Sequence, residues 1–172
     1  AQEGASVIIN YKDSEQAAQA LTKAFGNKAL AVKADITDTD QVKAMFETGE
    51  KHFGRSINAV VNNALVDFQF NGDARSMLKD MPWAALNQQL EGSLKGALNT
   101  IQTALPAMAA NKFGRIVNIG TNLFQNPIVP YHDYTAAKAA LLSLTRTAAH
   151  ELGPDGVTVN MVSGGLLRTT DA

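Results

Sequence analysis

The sequence predicts an α/β fold in which helices cover both faces of a doubly wound parallel sheet. Short runs rich in Val and Ile alternate along the chain with longer stretches whose apolar residues recur at helical spacing. Near-continuous apolar strands are typical of parallel strands that are covered on both faces. A helix that crosses between two such strands must pack on the sheet to bury its own apolar stripe. We therefore interpret residues 1–172 as a single domain of this class.

The elements are predicted in a regular order. "ASVIIN" (residues 5–10) predicts a strand, and the apolar spacing of residues 13–26 predicts a helix after it. "ALAVKAD" predicts a strand that ends at Asp35, followed by a helix capped by Thr37 or Asp38. Further strands are predicted at residues 57–64, 114–121 and 156–165, and further helices at residues 83–111 and 134–152.

The segment of residues 65–81 breaks this regularity, because it is long, mixed in composition and interrupted by "NGD". It follows a predicted strand at the carboxyl end, where open α/β sheets bind their ligands. Long connections in compact domains are usually functional. We expect this loop to lie near the active cleft.

Composition excludes several classes of function. Lys and Arg total 15 against 16 for Asp and Glu, for a net charge of -1, and neither sign forms a block, so we expect no nucleic-acid partner. The chain has no cysteine, and its three histidines lack ligand spacing, so we expect no disulfide and no metal site. Without a membrane-length apolar run or a signal-peptide pattern, we expect no membrane association and a cytoplasmic location.

One pair of residues has the spacing of an acid–base site. Tyr134 and Lys138 lie one turn apart on one face of a predicted helix. The ammonium group can stabilise a phenolate and lower the pKa of the phenol from about 10, which would suit general acid–base catalysis. Thr121 ends the preceding strand at its carboxyl end, so the same cleft is predicted to hold its hydroxyl.

Four motifs in order resemble those of the classical short-chain dehydrogenase/reductase family, which includes 3-oxoacyl-[acyl-carrier-protein] reductases. "KADITD" resembles the family's strand-end Asp motif, "VVNNA" its N-N-A-G, "GRIVNIGT" the strand that carries its catalytic serine, and "YTAAK" its Y-x-x-x-K. The resemblance covers essentially the whole chain. It implies a Rossmann-like NAD(P)-binding domain, an oxidoreductase and a role in fatty acid biosynthesis.

The resemblance assigns roles to single positions. Tyr134 would exchange the proton with the carbonyl or alcohol, and Lys138 would hold the nicotinamide ribose and tune the phenol. Thr121 occupies the position of the family's serine, and Ser93 that of its helix asparagine. The cofactor-binding residues besides Tyr134 and Lys138 would be Asn10, Tyr11, Asp35, Ile36, Asn63, Ala64, Leu167 and Thr169.

Charge favours NADP over NAD, with NAD as the alternative. In the family, an acidic residue at the end of the second strand, which corresponds to residues 5–10 of this chain, would bind the ribose hydroxyls of NAD and repel the extra phosphate of NADP. The chain has Asn10 and Tyr11 there, followed by Lys12, which can pair with a phosphate.

The sequence also departs from the family pattern. Leu65 replaces the glycine of N-N-A-G, and "SGG" (residues 163–165) replaces a proline-glycine. The family's glycine-rich phosphate-binding turn has no counterpart in the 172 residues, and "LLRTTDA" stops short of the family's last helices and strand. The domain is therefore predicted to be incomplete at both ends. Loss of the central first strand would leave two half-sheets with unpaired edges.

The predicted function is transfer of hydride between NADP(H) and a carbonyl or alcohol, with a 3-oxoacyl thioester as substrate. The alternatives are a sugar, steroid or xenobiotic alcohol dehydrogenase of the same family, and a catalytically impaired nucleotide-binding or scaffold protein. The helices at residues 83–111 and 134–152 are the pair through which relatives assemble, so a homo-oligomer, either a dimer or a tetramer, is expected.

Overall fold

The structure, a computed structural model, describes residues 1–68 and 70–165. Within these residues the chain alternates between parallel strands and helices, which confirms the predicted α/β class. The strands are β1 (Val7–Tyr11), β2 (Ala29–Lys33), β3 (Ala59–Asn62), β4 (Gly114–Thr121) and β5 (Val157–Gly164). The α-helices are α1 (Glu15–Phe25), α2 (Thr39–Phe53), α3 (Trp83–Leu90), α4 (Gly96–Ala110) and α5 (His132–Leu152).

The strands form two parallel sheets. β1 pairs with β2, with Val7 opposite Ala29, and the second sheet has the order β3-β4-β5. Within the described residues no ladder joins β1 to β3, so the prediction of two half-sheets is confirmed. A cavity of about 740 Å³ separates the facing edges of β1 and β3, and Ile8, Val60 and Asn62 are among the residues that line it.

The hydrophobic core lies between the three-stranded sheet and helices α2, α4 and α5. Ile116 and Val42 are fully buried, and Met108 and Leu141 are almost so. β4 is buried along most of its length because α4 and α5 both pack against it. This double coverage explains why its sequence is nearly continuous in apolar residues.

The N-cap predicted at Thr37 or Asp38 lies at Asp38. Asp38 is the N-cap of α2 and accepts hydrogen bonds from the backbone N–H groups of Asp40 and Gln41, at 2.9 and 3.1 Å. Gly54 ends the same helix with a φ of 66°, a left-handed conformation that glycine adopts without strain.

The helix predicted over residues 83–111 is interrupted. A π-helical segment, Glu91–Lys95, separates α3 from α4. Two glycines here let neighbouring segments come close, because a Cβ on Gly92 would lie 2.7 Å from Val66 Cβ, and one on Gly96 2.5 Å from Ile36 Cδ1. Single π turns inside α-helices are frequent at functional sites. Over the described ranges, no helix combines the length and the apolar character that crossing a membrane requires.

Candidate active site

The structure brings the three predicted polar residues to one edge of the sheet. Thr121 ends β4, while Tyr134 and Lys138 lie one turn apart on the first half of α5. Their exposed fractions are 5%, 6% and 2%, so water is largely excluded from all three side chains. The Thr121 hydroxyl acts on the Tyr134 phenol as a hydrogen-bond partner that favours its ionised form.

The electrostatics of this group differ from the sequence-based expectation. Burial raises the pKa of Tyr134, and the hydrogen bond from Thr121 opposes this effect only in part. The Lys138 ammonium donates to the Ile119 carbonyl at 2.7 Å, and its Nζ lies 5.7 Å from the centre of the Tyr134 ring. The prediction that Lys138 lowers the pKa of Tyr134 is therefore wrong for this arrangement, in which burial dominates.

The pKa of Lys138 is also shifted from its ordinary value. Burial lowers the pKa of its ammonium group to about 8, because the charged form loses its hydration and gains one carbonyl partner in exchange. An ammonium with such a pKa gives up its proton far more readily than an exposed lysine does. The arrangement can therefore hold a neutral phenol next to a lysine that titrates close to neutral pH.

Ser93 lies in the π-helical segment and is buried. It lines the same cavity as Lys138 and Asn63. Ala64 also lines this cavity.

Five of the ten predicted cofactor-binding residues converge at a second, smaller cavity of about 230 Å³. It lies at the carboxyl ends of β1 and β2, where an open α/β sheet binds its ligand. The predicted residues that line it are Asn10, Tyr11, Asp35, Ile36 and Ala64. Leu167 and Thr169, two further predicted cofactor contacts, lie outside the described residues.

A cation and an anion meet at this smaller cavity. Lys12 Nζ lies 3.0 Å from Asp35 Oδ2, and Asp35 also accepts hydrogen bonds from the backbone N–H and hydroxyl of Thr37, at 2.9 and 2.7 Å. The Thr37 bonds, followed by Lys12, hold the pKa of Asp35 at about 2. Lys12 keeps an exposed side, so it could meet an anionic group bound there.

A buried polar chain connects the elements that carry the site. The Thr100 hydroxyl donates to Asn62 Oδ1 at 2.7 Å, and Asn62 Nδ2 donates to Asn118 Oδ1 at 2.8 Å. Asn118 Nδ2 in turn donates to the Thr145 hydroxyl at 2.9 Å. The chain links α4, β3, β4 and α5, and sequence reasoning missed it because Asn118 reads as one polar residue in an apolar strand.

Sequence reasoning also missed an aromatic cluster at the start of α5. Phe68 and Phe70, from the loop predicted to lie near the cleft, contact Tyr131 and Tyr134. The spacing of the two phenylalanines in "DFQF" is the only signal for it in the sequence. Within the same described ranges, no group of three or more His, Asp or Glu side chains is placed to bind a metal ion.

Comparison with known proteins gives consistent matches over the chain. The family whose sequence pattern matches residues 1–172 is described as "Enoyl-(Acyl carrier protein) reductase". The chain is 34% identical over 170 residues to the 3-oxoacyl-[acyl-carrier-protein] reductase FabG of Staphylococcus aureus, covering 97% of this chain and 66% of that protein. It is also 34% identical to a short-chain type dehydrogenase/reductase of Picea abies, covering 98% of this chain and 64% of that one.

Among solved structures, a 3-oxoacyl-reductase from Bacillus thuringiensis superposes with a TM-score of 0.85 at 28% identity. The match covers 99% of this chain and 72% of that one. The chain thus spans about two thirds of the length of the relatives to which it is similar.

Proposed function

This chain belongs to the short-chain dehydrogenase/reductase family, and we propose that it transfers hydride between NADP(H) and a carbonyl or alcohol, with a 3-oxoacyl thioester as substrate. The observation that carries the proposal is the buried group of Thr121, Tyr134 and Lys138 at the carboxyl end of β4. The similarity to 3-oxoacyl-[acyl-carrier-protein] reductases supports the substrate class.

The proton is handled by this chain's own residues. When bound, the nicotinamide would supply the hydride that becomes attached to the carbonyl carbon. The carbonyl oxygen would take its proton from the Tyr134 hydroxyl, and the Thr121 hydroxyl would hydrogen-bond that oxygen. Because burial raises the pKa of Tyr134, the phenol is neutral before the reaction and can act as the acid.

Lys138 would restore the proton and hold the cofactor. Its pKa of about 8 makes it a competent proton source for the phenolate that Tyr134 leaves behind. Ser93, at the position of the family's helix asparagine, would hold the water through which the lysine regains its proton. The nicotinamide ribose would be held by Lys138 and Tyr134, and the rest of the cofactor by the residues of the smaller cavity.

The preference for NADP rests on Lys12. No carboxylate follows the end of β1 directly, and the exposed ammonium of Lys12 is the cation available at the smaller cavity. The carboxylates of Asp35, Asp13 and Asp67 lie near Lys12 and offset its charge in part. An extra phosphate carries up to two negative charges and would compete with them for the ammonium.

We further infer a cytoplasmic homo-oligomer, a dimer or tetramer, that acts in fatty acid biosynthesis. Support for assembly comes from exposed apolar side chains on the helices of the expected interface, since Trp83 is 71% exposed on α3 and Leu98 is 38% exposed on α4. Light scattering coupled to size-exclusion chromatography measures the assembly state directly, and a monomer at micromolar concentration would contradict this part of the proposal.

The decisive test of the activity is Tyr134→Phe. We expect it to abolish NADPH-dependent reduction of a 3-oxoacyl thioester while NADPH binding, measured by nucleotide fluorescence, changes little. Thr147→Val is the matched control, because it removes an exposed hydroxyl from the same helix. Activity that survives in Tyr134→Phe would place the acid elsewhere and refute the proposed mechanism.

A further inference from the structure

The aromatic side chains of the loop cover the proposed acid. The Phe68 ring stacks on the Tyr134 ring, with a centroid separation of 4.5 Å and an interplanar angle of 21°. The Phe70 ring meets Tyr134 with a separation of 5.7 Å and an angle of 71°. Phe68 and Phe70 also contact each other edge to face at 4.8 Å. Both phenylalanines stay half-buried, whereas Tyr134 beneath them is buried.

This segment is anchored on both sides of the two rings. Before Phe68, the buried Gln89 side chain donates to the Val66 carbonyl at 3.1 Å. After Phe70, the Gly72 N–H donates to the Tyr131 hydroxyl at 2.9 Å. The anchors come from α3 and from the N-cap of α5, so the rings are held against the same helix that carries the acid.

We propose that Phe68 and Phe70 form an aromatic wall that makes the enzyme select substrates carrying a planar apolar group next to the reacting carbonyl. The inference rests on the proposed function, because it takes Tyr134 as the acid. Because both rings contact the ring of the buried Tyr134, we expect a carbonyl that reaches its hydroxyl to lie beside them. The group attached to that carbonyl then lies against ring faces and edges. These also accept an alkyl chain, as the proposed role in fatty acid biosynthesis requires, but they interact more favourably with another planar ring.

The test compares two 3-oxo esters that differ only in that group. Ethyl benzoylacetate carries a phenyl ring on the reacting carbonyl, and ethyl acetoacetate carries a methyl. The kcat/KM of each with NADPH is measured for the unchanged chain, for Phe68→Leu and for Phe70→Leu. Leucine keeps the apolar bulk but loses the ring, and Phe113→Leu is the control because Phe113 is half-exposed at the opposite end of β4.

We expect the unchanged chain to prefer the phenyl ester. Each leucine variant should lower the phenyl-to-methyl ratio of kcat/KM by about two- to tenfold, the range that one aromatic contact contributes. Phe113→Leu should leave the ratio unchanged. Circular dichroism of all variants establishes that each one is folded.

Three results would overturn the proposal. An unchanged ratio in both variants would mean that the rings do not touch the distinguishing group. An equal loss of kcat/KM for both esters would mean that the rings only support Tyr134. An equal gain in kcat/KM for both esters would mean that the two rings obstruct access to Tyr134.

Failure of the proposed function itself gives a different result, in which no form of the protein reduces either ester. The wall is then tested without turnover, by calorimetric titration with each ester. Tighter binding of the phenyl ester that is lost in Phe68→Leu supports the wall, and equal binding of the two esters refutes it.

Discussion

The burial of Lys138 predicts an unusual rise in stability at alkaline pH. A buried lysine with a lowered pKa binds its proton less tightly in the folded chain than in the unfolded chain, so protonation favours unfolding. This penalty is fully present below pH 8 and disappears as the pH rises from about 8 towards 10.5. The experiment therefore varies the pH and compares the unchanged chain with Lys138→Met, which lacks the titrating group.

The magnitude follows from the size of the shift. A fall in pKa from 10.5 to about 8 corresponds to about 3 kcal/mol, because one pKa unit is worth about 1.4 kcal/mol. Between about pH 7 and pH 9.8, about 2 kcal/mol of this should be recovered by linkage. Tyr134 acts in the opposite direction, since its raised pKa costs stability only above pH 10, so the measurement stays below that value.

Urea unfolding followed by circular dichroism measures the effect. The free energy of unfolding of the unchanged chain should rise by about 2 kcal/mol relative to that of Lys138→Met over this interval. The exposed Lys33→Met is the control, and its curve should run parallel to that of the unchanged chain. Parallel curves for Lys138→Met and the unchanged chain would refute the reasoning, because Lys138 would then titrate as it does in water.

Three further outcomes are expected. Lys12→Ala should raise the KM for NADPH by roughly tenfold and the KM for NADH much less, because only NADPH carries the extra phosphate. An equal rise in both KM values would argue against Lys12 as the phosphate ligand. Thr121→Val should lower kcat by about 100-fold, whereas Thr121→Ser, which keeps the hydroxyl, should stay within a few-fold of the unchanged chain. Asn118→Leu should lower the free energy of unfolding by at least about 2 kcal/mol, because it leaves the hydrogen-bond partners on β3 and α5 unpaired. The exposed Asn160→Leu should change it by less than about 0.5 kcal/mol. Similar values for the two variants would contradict the hydrogen-bond network.

The class of the fold could be predicted because burial on both faces leaves a direct mark on the sequence. Strand β4 coincides with the predicted residues 114–121, and it is covered by helices on both sides. The π-helical segment within residues 83–111 could not be predicted. Its apolar pattern is helical throughout, and the glycines that accommodate Val66 and Ile36 act through contacts distant in sequence.

The composition of the site was predictable, but its electrostatics were not. The spacing of Tyr134 and Lys138 and the strand-end position of Thr121 predicted that these residues lie close together. The direction in which the pKa of Tyr134 shifts depends on how deeply the phenol is buried. Phe68 and Phe70, which cover it, lie more than 60 positions away in the sequence. Local spacing therefore identifies the reacting groups, whereas distant packing sets their protonation.

The division into two sheets makes one side chain important for the whole site. The predicted cofactor-binding residues Asn10, Tyr11, Asp35 and Ile36 belong to the β1–β2 half. Thr121 and Tyr134 belong to the other half, and a cavity lies between the two. The buried Asn99 of α4 joins these halves, since its Nδ2 donates to the Ile36 carbonyl at 2.9 Å and its Oδ1 accepts from the Thr39 hydroxyl at 3.2 Å. One cofactor must contact both halves at once, so its affinity depends on their separation. Hence Asn99, through its bond to the predicted cofactor residue Ile36, contributes with the packing of α2 against α4 to the distance that the cofactor must span.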